Sequence, residues 1–93
     1  SYTMDFNKLN AALYQQSATY RFAKKPNDFD KGYMKISKWL ADLCYYYEHK
    51  REQQELANGD EFMSLINDYK AKISELGESD YKDGLLKAIS EIQ

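Results

Sequence analysis

Valine is absent from this 93-residue chain, and its one proline and four glycines leave little material for turn-rich β structure. With no β-branched runs either, helix is favoured throughout. A single cysteine excludes an intramolecular disulfide and fits a reducing compartment, with the cytoplasm as the expected location. No segment approaches the roughly 20 apolar residues that span a bilayer, and none has the form of a signal-peptide core, so no membrane role is expected. Met4 is a candidate start of translation, although the stretch can equally be excised from a longer chain.

Catalytic chemistry is also thinly provided. There is no Gly-rich phosphate loop, no nucleophile elbow and no paired-carboxylate motif, so the expectation is a protein that is not an enzyme and carries no cofactor. His49 is the only histidine. It stands one turn from Glu52 and two turns from Asp42, but di-metal bundle sites draw Glu and Glu-x-x-His from several helices, and structural zinc needs more Cys or His than exist. No metal site is expected. Cys44 falls on an apolar stripe without a basic partner, as an inert core thiol does.

What is abundant is aromatic: nine tyrosines, four phenylalanines and one tryptophan. The chain is organised around Asp30 to about Asn58, read as one long helix. Tyr33, Ile36, Leu40, Leu43 and Tyr47 recur at spacings of three and four, with Cys44 alongside, which places them on one face. Asp30 is the expected N-cap, with Phe29 stapling onto Met34, and Asn58-Gly59 is the expected stop. At about 100° per residue, Trp39 and Tyr46 fall on one flank of this spine, and Met34, Ala41 and Tyr45 on the other. Lys35, Lys38, Asp42 and His49 remain as the solvent face. From Glu48 onward the helix is polar, with Arg51 and Glu55 placed for an i,i+4 pair, and this end is expected to project or to lie against a partner.

Shorter helices surround the spine. The first is expected from Thr3, its N-cap, to about Ala23, with Asp5 in the first turn and a stripe of Phe6, Leu9, Leu13 and Tyr20. Gln16 and Ser17 interrupt that stripe. They imply an interhelical hydrogen bond, a departure of the helix from the core, or the floor of a small polar pocket. Pro26 and Asn27-Asp28 make the turn into the spine. Another helix is expected over Asp60 to Leu76, on Phe62, Leu65, Ile66, Tyr69, Ile73 and Leu76. A last one follows a Ser79 or Asp80 cap, on Tyr81, Leu85, Leu86, Ala88, Ile89 and Ile92, with its first turn softened by Gly84. The implied fold is all-α: one domain over residues 1–93, a three- to four-helix bundle organised around one long central helix.

Two surfaces suggest function. Tyr45-Tyr46-Tyr47 span about 200° of helix, so one helix–helix contact cannot bury all three. Tyr47 belongs to the core stripe, whereas Trp39, Tyr45 and Tyr46 are candidate partner-binding residues, since Trp and Tyr bring large area and a polar tip. The Trp39–Tyr46 flank is expected either to be covered by the last helix or to meet another protein or a second copy. The leading expectation is therefore a non-catalytic adaptor, chaperone-like or regulatory module, with a homodimer as one form.

The alternative is an accessory nucleic-acid-binding protein using Arg21, Lys24, Lys25, Lys31, Lys35 and Lys38, interleaved with Tyr20, Tyr33 and Trp39. Residues 1–51 carry nine Lys/Arg against five Asp/Glu (+4), and residues 52–93 carry four against ten (−6). Against nucleic acid stand an overall pI of about 5.3 and the lack of a recognition-helix motif.

Overall fold

The computed structural model describes residues 5–54 and 59–92, with backbone but not side chains at 7, 19, 21, 48 and 50–54. Four helices and no strand occur among the described residues: α1 (Phe6–Arg21), α2 (Asp28–Gln54), α3 (Gly59–Ser74) and α4 (Asp80–Ser90). This is the expected all-α bundle. The expected boundaries need correction, and each correction has a side-chain cause.

Asp5 caps α1 rather than sitting in its first turn: its backbone is extended and its carboxylate accepts from the Lys8 N–H at 3.0 Å. A carboxylate there satisfies a free donor and faces the positive end of the helix dipole. Thr3 lies outside the described residues. At the other end the Phe22 N–H donates to the Ala18 carbonyl at 3.1 Å.

Two residues ahead of Asp30, α2 has already begun. Asn27 Oδ1 accepts from the Asp30 N–H at 2.8 Å, and Asp30 Oδ2 accepts from the Asn27 N–H at 3.1 Å. This reciprocal capping box makes Asn27 the cap and Asp30 its partner inside the first turn. Phe29 accordingly lies within the helix, not before the cap where a staple to Met34 would need it, and its ring centroid is 6.3 Å from that of Tyr20. Gly59 is the first residue of α3 and is buried. Asn58 and the Arg51–Glu55 pair fall outside the described side chains.

Two residues short of Leu76, α3 stops at Ser74. Its last turn tightens to three-residue hydrogen bonds, Glu75 N–H to Lys72 O and Leu76 N–H to Ile73 O. The freed carbonyls are met from α4: Lys82 Nζ donates to Leu76 O at 3.0 Å, to Ser74 O at 3.3 Å and to Glu78 Oε1 at 2.6 Å. A lysine that is only 6% exposed thus serves as the C-cap of the preceding helix, where positive charge is favoured. Ser79 caps α4, accepting from the Lys82 N–H at 3.0 Å.

Both α1 and α3 run antiparallel to α2. Phe6 stacks on Tyr47 at 5.5 Å and the Tyr20 ring lies tilted against Tyr33 at 4.3 Å, which aligns α1. Phe62 meets Tyr47 edge-on at 5.8 Å and Tyr69 meets Trp39 at 4.5 Å, which aligns α3. The core is Phe6 and Leu13 of α1, Tyr33, Ile36, Leu40, Cys44 and Tyr47 of α2, Phe62, Ile66 and Ile73 of α3, and Leu85, Ala88 and Ile89 of α4. A 27-residue helix is about 40 Å long at 1.5 Å per residue, and it accounts for the longest of the 41 × 29 × 16 Å extents.

The crossing of α4 over α2 rests on two glycines. A β-carbon at Gly32 would overlap the Tyr81 carbonyl oxygen, and one at Gly84 would overlap that of Phe29. Gly84 is therefore not a soft spot in α4. It is the notch that lets the two backbones touch.

The core is tied to the surface by two tyrosine hydroxyls. Tyr33 donates to Glu91, and Tyr47 donates to Glu61 at 2.9 Å. Burial first, then the carboxylate acceptor, pushes both phenols well above the ordinary tyrosine range, since neither factor tolerates a phenolate.

Candidate functional site

The two flanks of α2 face different neighbours, and the three candidate partner-binding residues divide between them. Trp39 and Tyr46 belong to the flank toward α3. Tyr45 belongs to the flank toward α1, on the stripe with Met34, Lys38 and Ala41.

On the α3 side, Trp39 is half-buried by a stack on Tyr69, with ring centroids 4.5 Å apart and planes 26° from parallel. Tyr69 of α3 covers one face of the tryptophan, and α4 crosses α2 about two turns nearer its start, at Gly32. Two turns beyond the stack Tyr46 is 55% exposed, its ring edge-on to Tyr47 at 5.1 Å. Leu65 (40%) and Leu76 (48%) are exposed on the α3 stripe that carries Tyr69 and Lys72. Both leucines were expected in the core. The α3 stripe is simply wider than the surface α2 and α4 offer to it.

Adjoining the stack is a recess of about 360 Å³ between α2, α3 and α4, with Ile73 and Leu85 buried at its base. Lys35, Lys72, Tyr69, Tyr81 and Leu76 form its rim. Neither lysine has an ion-pair partner among the described residues.

On the α1 side, a second groove of about 360 Å³ runs between the helices, its lining including Leu13, Met34, Ala41, Lys38 and Asp42. Ser17 lies in its wall, buried, with its hydroxyl donating to the Tyr14 carbonyl at 3.1 Å. That is a bond back along its own helix. Gln16 is exposed. Tyr14 and Tyr45 are also exposed, and the Tyr45 ring lies 4.0 Å from that of His49, whose Nδ1 is 3.1 Å from the Tyr45 carbonyl oxygen. His49 is thus engaged by Tyr45, while the side chain of Glu52 lies outside those described. Cys44 is fully buried.

The basic residues of the alternative reading are distributed over several surfaces. Lys35 rims the recess beside α3 and α4, whereas Lys38 lines the groove beside α1. Lys24, Lys25 and Lys31 are exposed around the α1–α2 turn, and the Arg21 side chain lies outside those described.

Comparison of the chain with protein-family models, with curated proteins and with solved structures found no match. The geometry has to be read by itself. It singles out Lys72 together with Tyr69, Leu65 and Leu76, the last three of which were expected on the core stripe of α3. Their spacing of four, three and four residues was the available signal: it puts Leu65, Tyr69 and Lys72 along one line of α3, continued by Leu76 just past its end, beside the line of Phe62, Ile66 and Ile73.

Proposed function

We propose that the protein is a non-catalytic protein–protein interaction module, of adaptor, chaperone-like or regulatory type, and that it docks through the α2–α3 face. The observation that carries this reading is the Trp39–Tyr69 stack with half-exposed Tyr46, Leu65 and Leu76 around it. Such a cluster has the composition of an interface centre, where large aromatics gain area with little loss of entropy. An apolar face on a small chain is normally functional or is covered by a partner. The occupant is another protein or a second copy. Among the described residues no helix is long and apolar enough to cross a membrane.

The test uses exposed positions, so that the fold survives. Tyr46→Ala, Leu65→Ser and Leu76→Ser are expected to keep the helical circular dichroism and to abolish association, read as mass in light scattering and as partner recovered on the tagged chain. Trp39→Ala joins them as the deeper variant. Association unchanged in the triple surface variant would remove the α2–α3 face from consideration.

A further inference from the structure

We infer that the segment docked on the α2–α3 face is an acidic one from another protein: an apolar side chain seated in the recess between α2, α3 and α4, flanked by carboxylates on Lys35 and Lys72. The inference rests on the interaction reading above and names the chemistry of the partner for that same face. The recess lies beside the Trp39–Tyr69 stack, shares Tyr69 with it, and begins one turn along α2 at Lys35. Its volume of about 360 Å³ is at the lower end of the roughly 300–1,000 Å³ range of ligand pockets, enough for one or two side chains and not for a whole helix.

The sign of the partner follows from the rim. Its charged members are two lysines, with no carboxylate lining the recess and no ion pair made by either lysine among the described residues. A basic segment would set like charges together, and a neutral one would strip water from two ammonium groups without replacing it. An acidic segment supplies the missing acceptors and is steered in by the same charges. The groove between α1 and α2 shows the contrast, for its rim holds Lys38 and Asp42 and prefers neither sign. A polyphosphate chain is disfavoured on the α3 side because Asp68 on that helix and Glu75 just past its end are exposed within about a turn of Lys72. Discrete carboxylates on a peptide can avoid them.

The experiment selects displayed short random peptides on three immobilised forms of the whole chain: wild type, Lys35→Glu/Lys72→Glu and Trp39→Ala/Tyr46→Ala. Both lysines are exposed, so charge reversal leaves the helical dichroism unchanged. The expected wild-type pool is rich in Leu, Phe or Trp beside Asp or Glu. Its best peptide, synthesised, should lose about tenfold or more in affinity on the reversed form, with the gap narrowing as salt is added. The pool from the reversed form should turn to Lys and Arg.

Peptides that need Trp39 and Tyr46 but carry no acidic bias, or ignore the reversal, would overturn the acidic partner and leave the interaction module standing. A wild-type pool no different from that of the Trp39/Tyr46 form would overturn both. A short single-stranded oligonucleotide bound with the same dependence on Lys35 and Lys72 would reassign the face to nucleic acid. A dimer in light scattering that dissociates on charge reversal would make the occupant a second copy. Either result rejects the acidic segment of another protein.

Discussion

Replacing glycine by alanine inside a helix ordinarily gains about 1 kcal/mol. Gly32→Ala and Gly84→Ala are expected to do the opposite. An added β-carbon at Gly84 would stand 2.9 Å from the Tyr33 nitrogen and from the Phe29 carbonyl carbon, besides overlapping the Phe29 oxygen. One at Gly32 would stand 3.0 Å from the Leu85 nitrogen and 3.1 Å from the Tyr81 carbonyl carbon. Ordinary contacts lie at about 3.5–4.0 Å, and the overlapped carbonyl oxygens need the largest shift, so α4 must retreat from α2 by more than about 1 Å.

The obstacles are backbone atoms, which have no rotamer to change. Overpacking of this kind costs about 1–3 kcal/mol, and the propensity gain offsets about 1 kcal/mol of it. A net loss of about 1–2 kcal/mol lowers Tm by about 5–15 °C in a domain of this size. One retreat of α4 makes room for both methyl groups, so the double variant should be hardly less stable than either single one, a coupling of about 1–2 kcal/mol in a double-mutant cycle. Urea titrations followed by far-UV circular dichroism measure all four corners. A single variant that raises Tm, or two losses that simply add, would refute the account of the crossing.

Other consequences are as direct. Because Tyr33 and Tyr47 hold their protons more tightly when folded, their contribution is complete below about pH 10 and is lost as pH rises, at about 1.4 kcal/mol per pH unit for each group. Tyr33→Phe and Tyr47→Phe should each flatten the alkaline unfolding curve; an unchanged slope would show that these phenols titrate normally. Lys82→Ala should cost about 1.5–3 kcal/mol by stripping the charged cap from Ser74 and Leu76. Glu78→Ala should cost under about 1 kcal/mol, because that carboxylate is 85% exposed, and equal losses in the two would contradict the capping role. Asn27→Ala should destabilise by about 1 kcal/mol, whereas Asp28→Ala, which has no part in the box, should not; reversed effects would move the cap.

The all-α class, the four helices and most of the core were legible because each rests on local periodicity. Tyr33, Ile36, Leu40 and Tyr47 repeat along α2, and all four are buried as the spacing implied. Caps were legible only as candidates. Asn27, Asp28 and Asp30 are all good N-caps in isolation, and the Asn27–Asp30 exchange that decides among them needs three-dimensional hydrogen bonds. The role of Gly84 was misread since propensity describes a helix in water, while the glycine is spent on the approach of Phe29. The capping role of Lys82 depends on the end of α3 lying beside it, which local sequence does not give. For the candidate site, the sequence separated the flanks of Trp39 and Tyr45 correctly by angle. It could not say that α3 would supply Tyr69 to Trp39, because that depends on which neighbour wins each flank.

The glycine crossing also orders events in time. Along α1 and α2 the earliest contact, Tyr20 with Phe29, closes a loop of about nine residues, so this hairpin can zip outward from its turn. Bringing Gly84 to Phe29 closes about 55 residues, an entropic cost of about 3.5 kcal/mol that nothing local repays in advance. A chain leaving the ribosome N-terminus first therefore shows the bare notch at Gly32 until residues 80–90 have emerged. During that interval the notch is open backbone on α2, and α4 is the last of the four helices able to close it.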